Sequence, residues 1–481
     1  EDRALLEQLN KVSSELAALV LKGQGGTDAV KHREAVAKLE AERDRLQAAV
    51  SARSAQFRAQ SQPVTLEGVR AAIPANAALV ELVSYRAFNE KARTRDARWG
   101  ARRYAAYVLS HEGEPRWVDL GEAESIDASV TRLRVALSNP RNEQARRIAR
   151  ALDEKLMRPV RRLLGGATVL LISPDGMLNL VPFAALVDEQ NRYLVERYTI
   201  NYLTSGRDLL RLRIRAQESG QAPLVVADPS FDENSSTAAV SAVEQKSANR
   251  RSLDFGGAHF SPLPGTAGEA QALVTILPEA QLFTGARASE TALKQASRPG
   301  ILHVATHGFF LKDHSNDQPG LPHPSPGQNS PLRSKTVESE NLLLRSGLAL
   351  AGANQRRGGA GEDGVLTALE AAQLDLWGTK LVVLSACETG VGEVRNGDGV
   401  YGLRRALVLA GAESQLMSLW QVSDAATKEL MVEYYKRLQA GDGRAEALRR
   451  VQLQMLKGGR WSHPFFWSSF IPIGNWESMD K

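Results

Sequence analysis

Two hydrophobic periods divide the chain. Near the amino terminus the apolar positions follow a helix: Leu5, Leu9, Val12, Leu16 and Leu19 recur at intervals of four and three, the seam of a coiled coil. Gly23-Gln24-Gly25-Gly26 breaks the seam, and Thr27 or Asp28 can cap a second helix. Val36, Leu39, Leu46 and Val50 resume it, with Arg43 interrupting. Residues 1–60 are therefore expected to form a helical hairpin. If the two seams satisfy each other, the hairpin is a packing arm. If one stays open, it is a docking arm and a route to an oligomer.

From about residue 77 the pattern changes to short, continuously apolar runs, as in strands buried on both faces. Such runs cover 78–83, 104–109 and 167–172, with helical spacing over 124–138 and 142–164. Beyond residue 221 strands are expected near 223–228, 280–284, 300–306, 346–351, 379–386, 414–420 and 466–472. Helices are expected near 267–277, 289–297, 366–374, 399–411, 424–438 and 443–456. This alternation predicts parallel strands joined by right-handed crossovers. The expected domains are the hairpin 1–60, a smaller non-catalytic α/β region 61–220 and a larger α/β domain 221–476. Three polar stretches rich in Gly, Pro and Ser interrupt the last: 232–258, 312–340 and 353–363. The second comes after the strand that ends at His307, so it is expected to overhang that strand end as a flap.

Composition narrows the class. The chain has 481 residues, 43% hydrophobic and 24% charged, as in a soluble globular protein. No run approaches the ~18 apolar residues of a membrane span. Sixty basic against 55 acidic residues leave +5, a mild preference for acidic surfaces and no case for specific nucleic-acid binding. One cysteine excludes an internal disulfide and fits a reducing, cytoplasmic setting. The chain begins at Glu1 and enters a helix at once, which suggests a processed product or a piece of a longer protein. Gly358-Gly359-Ala360-Gly361 has no strand before it, so phosphate binding has little support.

The single thiol carries the candidate chemistry. Cys387 ends the run Leu381-Val382-Val383-Leu384-Ser385-Ala386, and His307 ends the run Ile301-Leu302-His303-Val304-Ala305-Thr306. The carboxyl ends of strands form the reactive edge of an open α/β sheet. A thiol and an imidazole delivered there make a nucleophile and its base. The amides of Gly308 and Cys387 are candidate oxyanion donors. The next turn, Glu388 to Gly392, has two glycines that let a substrate backbone approach. Against this, a lone thiol is often a buried structural residue, and a histidine can be bonded within a turn. Spacing leaves both open. His303, four residues earlier on the same strand, reads as packed or supporting; that spacing suits a metal pair on a helix, so no metal or other cofactor is expected. His314 and His323 fall in the polar stretch and read as solvated. No nucleophile or base stands at the strand ends of 61–220, which points to a structural role there.

These residues resemble a known family. His303-Val304-Ala305-Thr306-His307-Gly308 and Leu384-Ser385-Ala386-Cys387-Glu388-Thr389-Gly390 are similar to motifs of the CHAT family, cysteine peptidases of the caspase and separase clan. So are Gly397 to Ala406, Ser418 to Asp424, His463 to Trp467, Ser173 to Gly176 with Leu180 to Phe183, and Leu263 to Thr266 with Glu269. The likeness covers about 165–476. It implies a caspase-like three-layer sandwich on a mostly parallel sheet, a His307–Cys387 dyad, and peptide-bond hydrolysis without metal. It also implies that 61–220 is a degenerate caspase-like region, and that tetratricopeptide repeats often precede this part in relatives. Some relatives act in bacterial defence. In this clan a pocket beside the nucleophile reads the residue before the scissile bond. Asp424 is the candidate for holding a basic side chain there, with Trp420, Asp398 and Ser385 as further candidates. Ser423 and Asp424 equally suit a helix start, and Asp398 a cap. The expected partners are a protein substrate and a regulatory protein or upstream repeat domain. The enzyme is expected to be latent until a partner or self-cleavage opens it, with Arg250-Arg251, Arg333 and Arg356-Arg357 as cut points. The alternative is a catalytically silent scaffold of the same fold.

Overall fold

The computed structural model describes residues 8–9, 11–17, 19, 29–53, 64–92, 98–213, 221–232, 259–310, 343, 346–356, 362–385, 387–388, 398–420 and 423–479. No helix among them is long and apolar enough to cross a membrane. The apolar runs form β1 Ala77–Phe88, β4 Val169–Ser173, β6 Leu224–Pro229, β8 Ile301–Ala305, β12 Leu381–Leu384 and β14 Ser414–Ser418. With β2 Trp99–Ser110, β3 Arg116–Glu122, β5 Thr199–Tyr202, β7 Gln281–Gly285 and β15 Phe470–Gly474 they build one eleven-stranded sheet. Its order is β3-β2-β1-β4-β5-β15-β14-β12-β8-β6-β7. Seven of its ten pairings are parallel. The fold is mixed α/β with a large, mostly parallel sheet.

Helices cover both faces of this sheet. Val225, Ala227 and Ala305 pack with Ala270 of the helix Pro264–Ile276. The alternate residues Leu224, Val226, Leu302 and Val304 join the main core with Leu403 and Leu407 of the helix Asp398–Leu409. The sheet runs without a break from the 61–220 region into the 221–476 region through β5 and β15, where Tyr202 pairs with Ile473. Asn201 of β5 makes that joint: its buried Nδ2 donates to the Gly474 carbonyl at 2.7 Å.

The sheet is mostly parallel, as expected, and β15 is one of its antiparallel members, running against β14. Between them lie two packed helices, Asp424–Gln439 and Arg444–Lys457, and the second brings the chain back to the opposite end of the sheet. One expectation changes: the runs at 300–306 and 346–351 both predict strands of the main sheet, and only the first forms one, as β8. β8 stops at Ala305, and Thr306, whose hydroxyl donates to the Ala349 carbonyl, marks a bend. Beyond it β9 His307–Phe310 enters a second sheet with β10 Ser346–Ala349, β11 Val365–Thr367 and β13 Cys387–Glu388, in the order β11-β10-β9-β13. Gly347 permits this layer, because a Cβ there would stand 2.5 Å from the Leu366 carbonyl oxygen and 2.7 Å from the Phe309 ring.

The amino-terminal helices pack on the body. Leu16 and Ala17 are buried against Leu369, with Val36 and Leu39 beside them. The Lys294 ammonium donates to Ser14 Oγ at 3.0 Å, and the Gln373 amide donates to Ser13 Oγ. Among the described residues the seam is thus used within the chain.

Candidate active site

The register of two ladders brings the candidate pair together. In the main sheet β8 pairs with β12 in parallel, Val304 opposite Leu384. Three residues on, in the second sheet, β9 pairs with β13 in parallel, His307 opposite Cys387. The offset of eighty positions is the same in both, so the chains leave one sheet and enter the next side by side. Neighbouring strands stand ~4.8 Å apart. Shifting the pairing by one residue would send alternate side chains to the opposite face.

His307 sits in an aromatic cage. It is 5% exposed, with the Phe231 ring centroid 5.2 Å away and that of Phe260 5.8 Å away. Its Nε2–H donates to the Ser261 carbonyl at 2.8 Å, which places the lone pair of the neutral ring on Nδ1. Among the described residues Nδ1 has no hydrogen-bond partner. Burial pushes the imidazole pKa down, and the Ser261 bond opposes that shift. The ring is therefore held neutral and basic at Nδ1.

One side chain staples the cage together. Asn354 Oδ1 accepts from the Phe260 amide at 2.8 Å, and its Nδ2 donates to the Phe260 carbonyl at 3.0 Å. Its own amide donates to the Phe231 carbonyl at 3.0 Å. Phe231, Phe260, Ser261 and Asn354 are absent from the residues that motif reading selects. A signal was present, because Phe231 and Phe260 flank the polar stretch 232–258 as aromatic anchors.

The other selected residues are spread more widely. Gly308 is paired on both sides, to Leu348 of β10 and Glu388 of β13. Ser385 is buried, and its Oγ donates to Glu269 Oε2 at 3.2 Å. Trp420 is buried in the main core, where its indole N–H donates to the Phe465 carbonyl at 3.2 Å. Neither can touch a substrate without movement. Asp398 begins its helix. Asp424 is exposed at the start of its own helix and lies against Gly265, where any Cβ would collide with the carboxylate. His314, His323, the flap 312–340, the turn after Glu388 and the cut points other than Arg356 lie outside the described residues. Arg356 is half-buried, its guanidinium 3.9 Å from Asp363.

A carboxylate cluster suited to a cation lies elsewhere. Glu290, Glu362 and Glu370 bring oxygens within 4.8 Å of one another. The Lys294 ammonium occupies their centre, at 2.7, 2.8 and 3.0 Å. The protein supplies its own cation there.

A family model described as CHAT domain matches residues 146–475. The chain belongs to the CHAT domain family. The match starts inside the 61–220 region, as the unbroken sheet does. Human tetratricopeptide repeat protein 28 is 26% identical to this CHAT chain over 316 residues, 64% of the chain and 12% of that protein. The mouse protein of the same name is 25% identical over 71% of the chain and 14% of its own length. The CHAT chain thus spans about an eighth of these relatives. Among solved structures, a Saccharomyces cerevisiae separase–securin complex aligns at 8% identity over 87% of the chain and 31% of the other, with a TM-score of 0.41. The Arg-specific cysteine proteinase gingipain R aligns at 10% identity over 74% of each chain, with a TM-score of 0.34.

Proposed function

We propose that this CHAT chain is a cysteine endopeptidase in which Cys387 is the nucleophile and His307 its base. The observation that carries the reading is the joint placement of the pair: a shared register sets Cys387 beside His307, and the Ser261 bond leaves Nδ1 of a buried, neutral ring as the basic atom. In the reaction Nδ1 takes the thiol proton and the sulfur adds to the peptide carbonyl carbon, whose oxygen becomes an oxyanion. The imidazolium then protonates the leaving amine, the C–N bond breaks and an acyl-enzyme remains. Nδ1 next deprotonates a water that attacks the thioester, releasing the carboxylate and restoring the thiol. The Cys387 amide is the first oxyanion donor, and the Gly308 amide joins it once β9 moves against one of its two neighbours.

Asp424 supports a preference for a basic residue before the scissile bond. Its exposed carboxylate lies against Gly265, in the segment that also supplies Phe260 and Ser261 to the His307 cage. Because His307 is nearly buried and Gly308 is paired on both sides, a substrate backbone needs the second sheet to open. The proposal therefore includes a latent state, opened by a protein partner or by cleavage of the chain itself.

A peptide-library cleavage profile tests this, with Cys387→Ala and His307→Ala as blanks. Cleavage after Arg or Lys by the wild type, lost in both variants, is the expected result. Cleavage that persists in Cys387→Ala overturns the mechanism. Mass spectrometry of the incubated chain covers self-processing. No variant-sensitive fragment from either substrate source would favour the scaffold reading instead.

A further inference from the structure

A buried polar chain that the proposed chemistry does not use lies under the strand ends. Ser385 Oγ donates to Glu269 Oε2 at 3.2 Å. Glu269 Oε1 stands 3.1 Å from His303 Nε2, and His303 Nδ1 stands 3.1 Å from Tyr435 Oη. The Ser385 hydroxyl donates to one oxygen of the Glu269 carboxylate, and the other oxygen lies in close contact with the His303 ring but out of line for a hydrogen bond. The Tyr435 hydroxyl bonds Nδ1 on the far side of that ring. The four residues are 7%, 3%, 0% and 0% exposed in the order Ser385, Glu269, His303, Tyr435. Burying so many polar groups is expensive, and apolar residues of like volume usually fold as well or better. Stability alone gives no reason for them.

Their attachment points give one. Ser385 stands two residues before Cys387, on the connection from β12 to β13. His303 stands four residues before His307, on β8, opposite Val383 of β12. Glu269 belongs to the helix Pro264–Ile276, which continues from the segment whose Ser261 carbonyl orients the His307 ring. A single carboxylate therefore joins the strand carrying the base, the strand carrying the nucleophile and the helix next to the orienting segment. A pair set only by two short ladders can slide, whereas a buried carboxylate bonded to Ser385 and packed against the His303 ring resists a shift, because movement would cost it both contacts. We infer that Glu269, bridged to Ser385 and His303, is a positioning residue that holds Cys387 and His307 at working separation. The inference rests on the reading of His307 and Cys387 as a dyad.

The sole thiol provides a readout separate from peptide cleavage. Carboxymethylation of Cys387 by iodoacetamide is measured against pH in the full chain for wild type, His307→Ala, Glu269→Gln and Tyr435→Phe, with each variant's melting temperature. In the wild type the reactive thiolate should form well below the ~8.5 of a free thiol. His307→Ala should move the midpoint up to that value. Glu269→Gln should move it up by about one pH unit, roughly a tenfold slower reaction at pH 6.5. Tyr435→Phe, which breaks only the far bond and keeps the packing, should move it in the same direction by less. If His307→Ala moves the midpoint while Glu269→Gln and Tyr435→Phe leave it in place, whatever their melting temperatures, the positioning inference is overturned and the dyad stands. If the wild type already titrates as a free thiol and His307→Ala changes nothing, the dyad itself falls and takes the inference with it.

Discussion

Lys294→Ala probes a charge cluster outside the site. The ammonium lies 2.7 Å from Glu290, 2.8 Å from Glu362 and 3.0 Å from Glu370, and also holds Ser14 of the amino-terminal arm. Glu290 is buried, and burial, reinforced by the Glu370 charge and opposed by Lys294, pushes its carboxyl up to about 9. At neutral pH Glu290 is therefore protonated, while Glu362 and Glu370 share the ammonium. Removing one partner of a buried ion pair costs ~3–5 kcal/mol. Lys294 and Glu362 are each about one-fifth exposed, so solvent screening places the loss near the lower end, about 3 kcal/mol at pH 8. Lys294 opposes the upward shift of Glu290, so its removal raises that carboxyl further, and the loss should grow by pH 10, by up to about 1.4 kcal/mol for each unit of that rise. Urea unfolding of wild type and variant at both pH values measures this. A loss equal at pH 8 and pH 10 would mean that lost packing, not unpaired charge, dominates, and the electrostatic reasoning fails.

Three further substitutions probe the charge cluster and the cage. Glu290 has a folded pKa above the unfolded 4.5, so its contribution is complete below about pH 4.5 and is lost as pH rises through about 9. Glu290→Gln should therefore flatten the decline of stability across that window and be more stable than wild type at pH 9; a steeper decline in urea midpoints refutes this. Phe231→Ala removes a buried ring 5.2 Å from the His307 ring. It should cost ~3–5 kcal/mol and let water raise the imidazole toward its ordinary value, visible as a shifted histidine titration by NMR. Asn354→Ala leaves the Phe260 amide and carbonyl without their partners. It should cost ~1–3 kcal/mol and slow the proposed cleavage at unchanged substrate affinity; full activity with lost stability would separate the staple from the site.

The sequence discloses the long elements and hides the short ones. β8 and β12 stand out as unbroken apolar runs, so the residues closing them, His307 and Cys387, can be assigned to one sheet edge from the pattern alone. The second sheet is not legible in the same way, because β13 has two residues and β9 only four, too few to show a period. Their pairing is inherited from the ladder before them. β5 escapes pattern reading because Asn201 interrupts its apolar run, though that residue fastens the two halves of the sheet. The stretch 353–363 reads as a polar interruption, yet Asn354 within it organises the His307 cage. In each case a polar residue is used through backbone contacts with partners far along the chain, which local periodicity cannot register. The antiparallel β15 follows from the two successive helices before it, both legible as 424–438 and 443–456, the second of which reverses the entry to the sheet.

The central claim is that positions 307 and 387 lie opposite each other where the strands leave the main sheet. His307→Cys tests it in a chain that otherwise has one thiol. Residues paired across a ladder fall within the ~4.4–6.8 Å Cα separation a disulfide spans, so mild oxidation should close an intramolecular Cys–Cys bond between these positions. The matched His303→Cys variant, with its partner one sheet earlier, should not close it. Free thiols in His307→Cys after oxidation, or bonds only between molecules, would contradict the account.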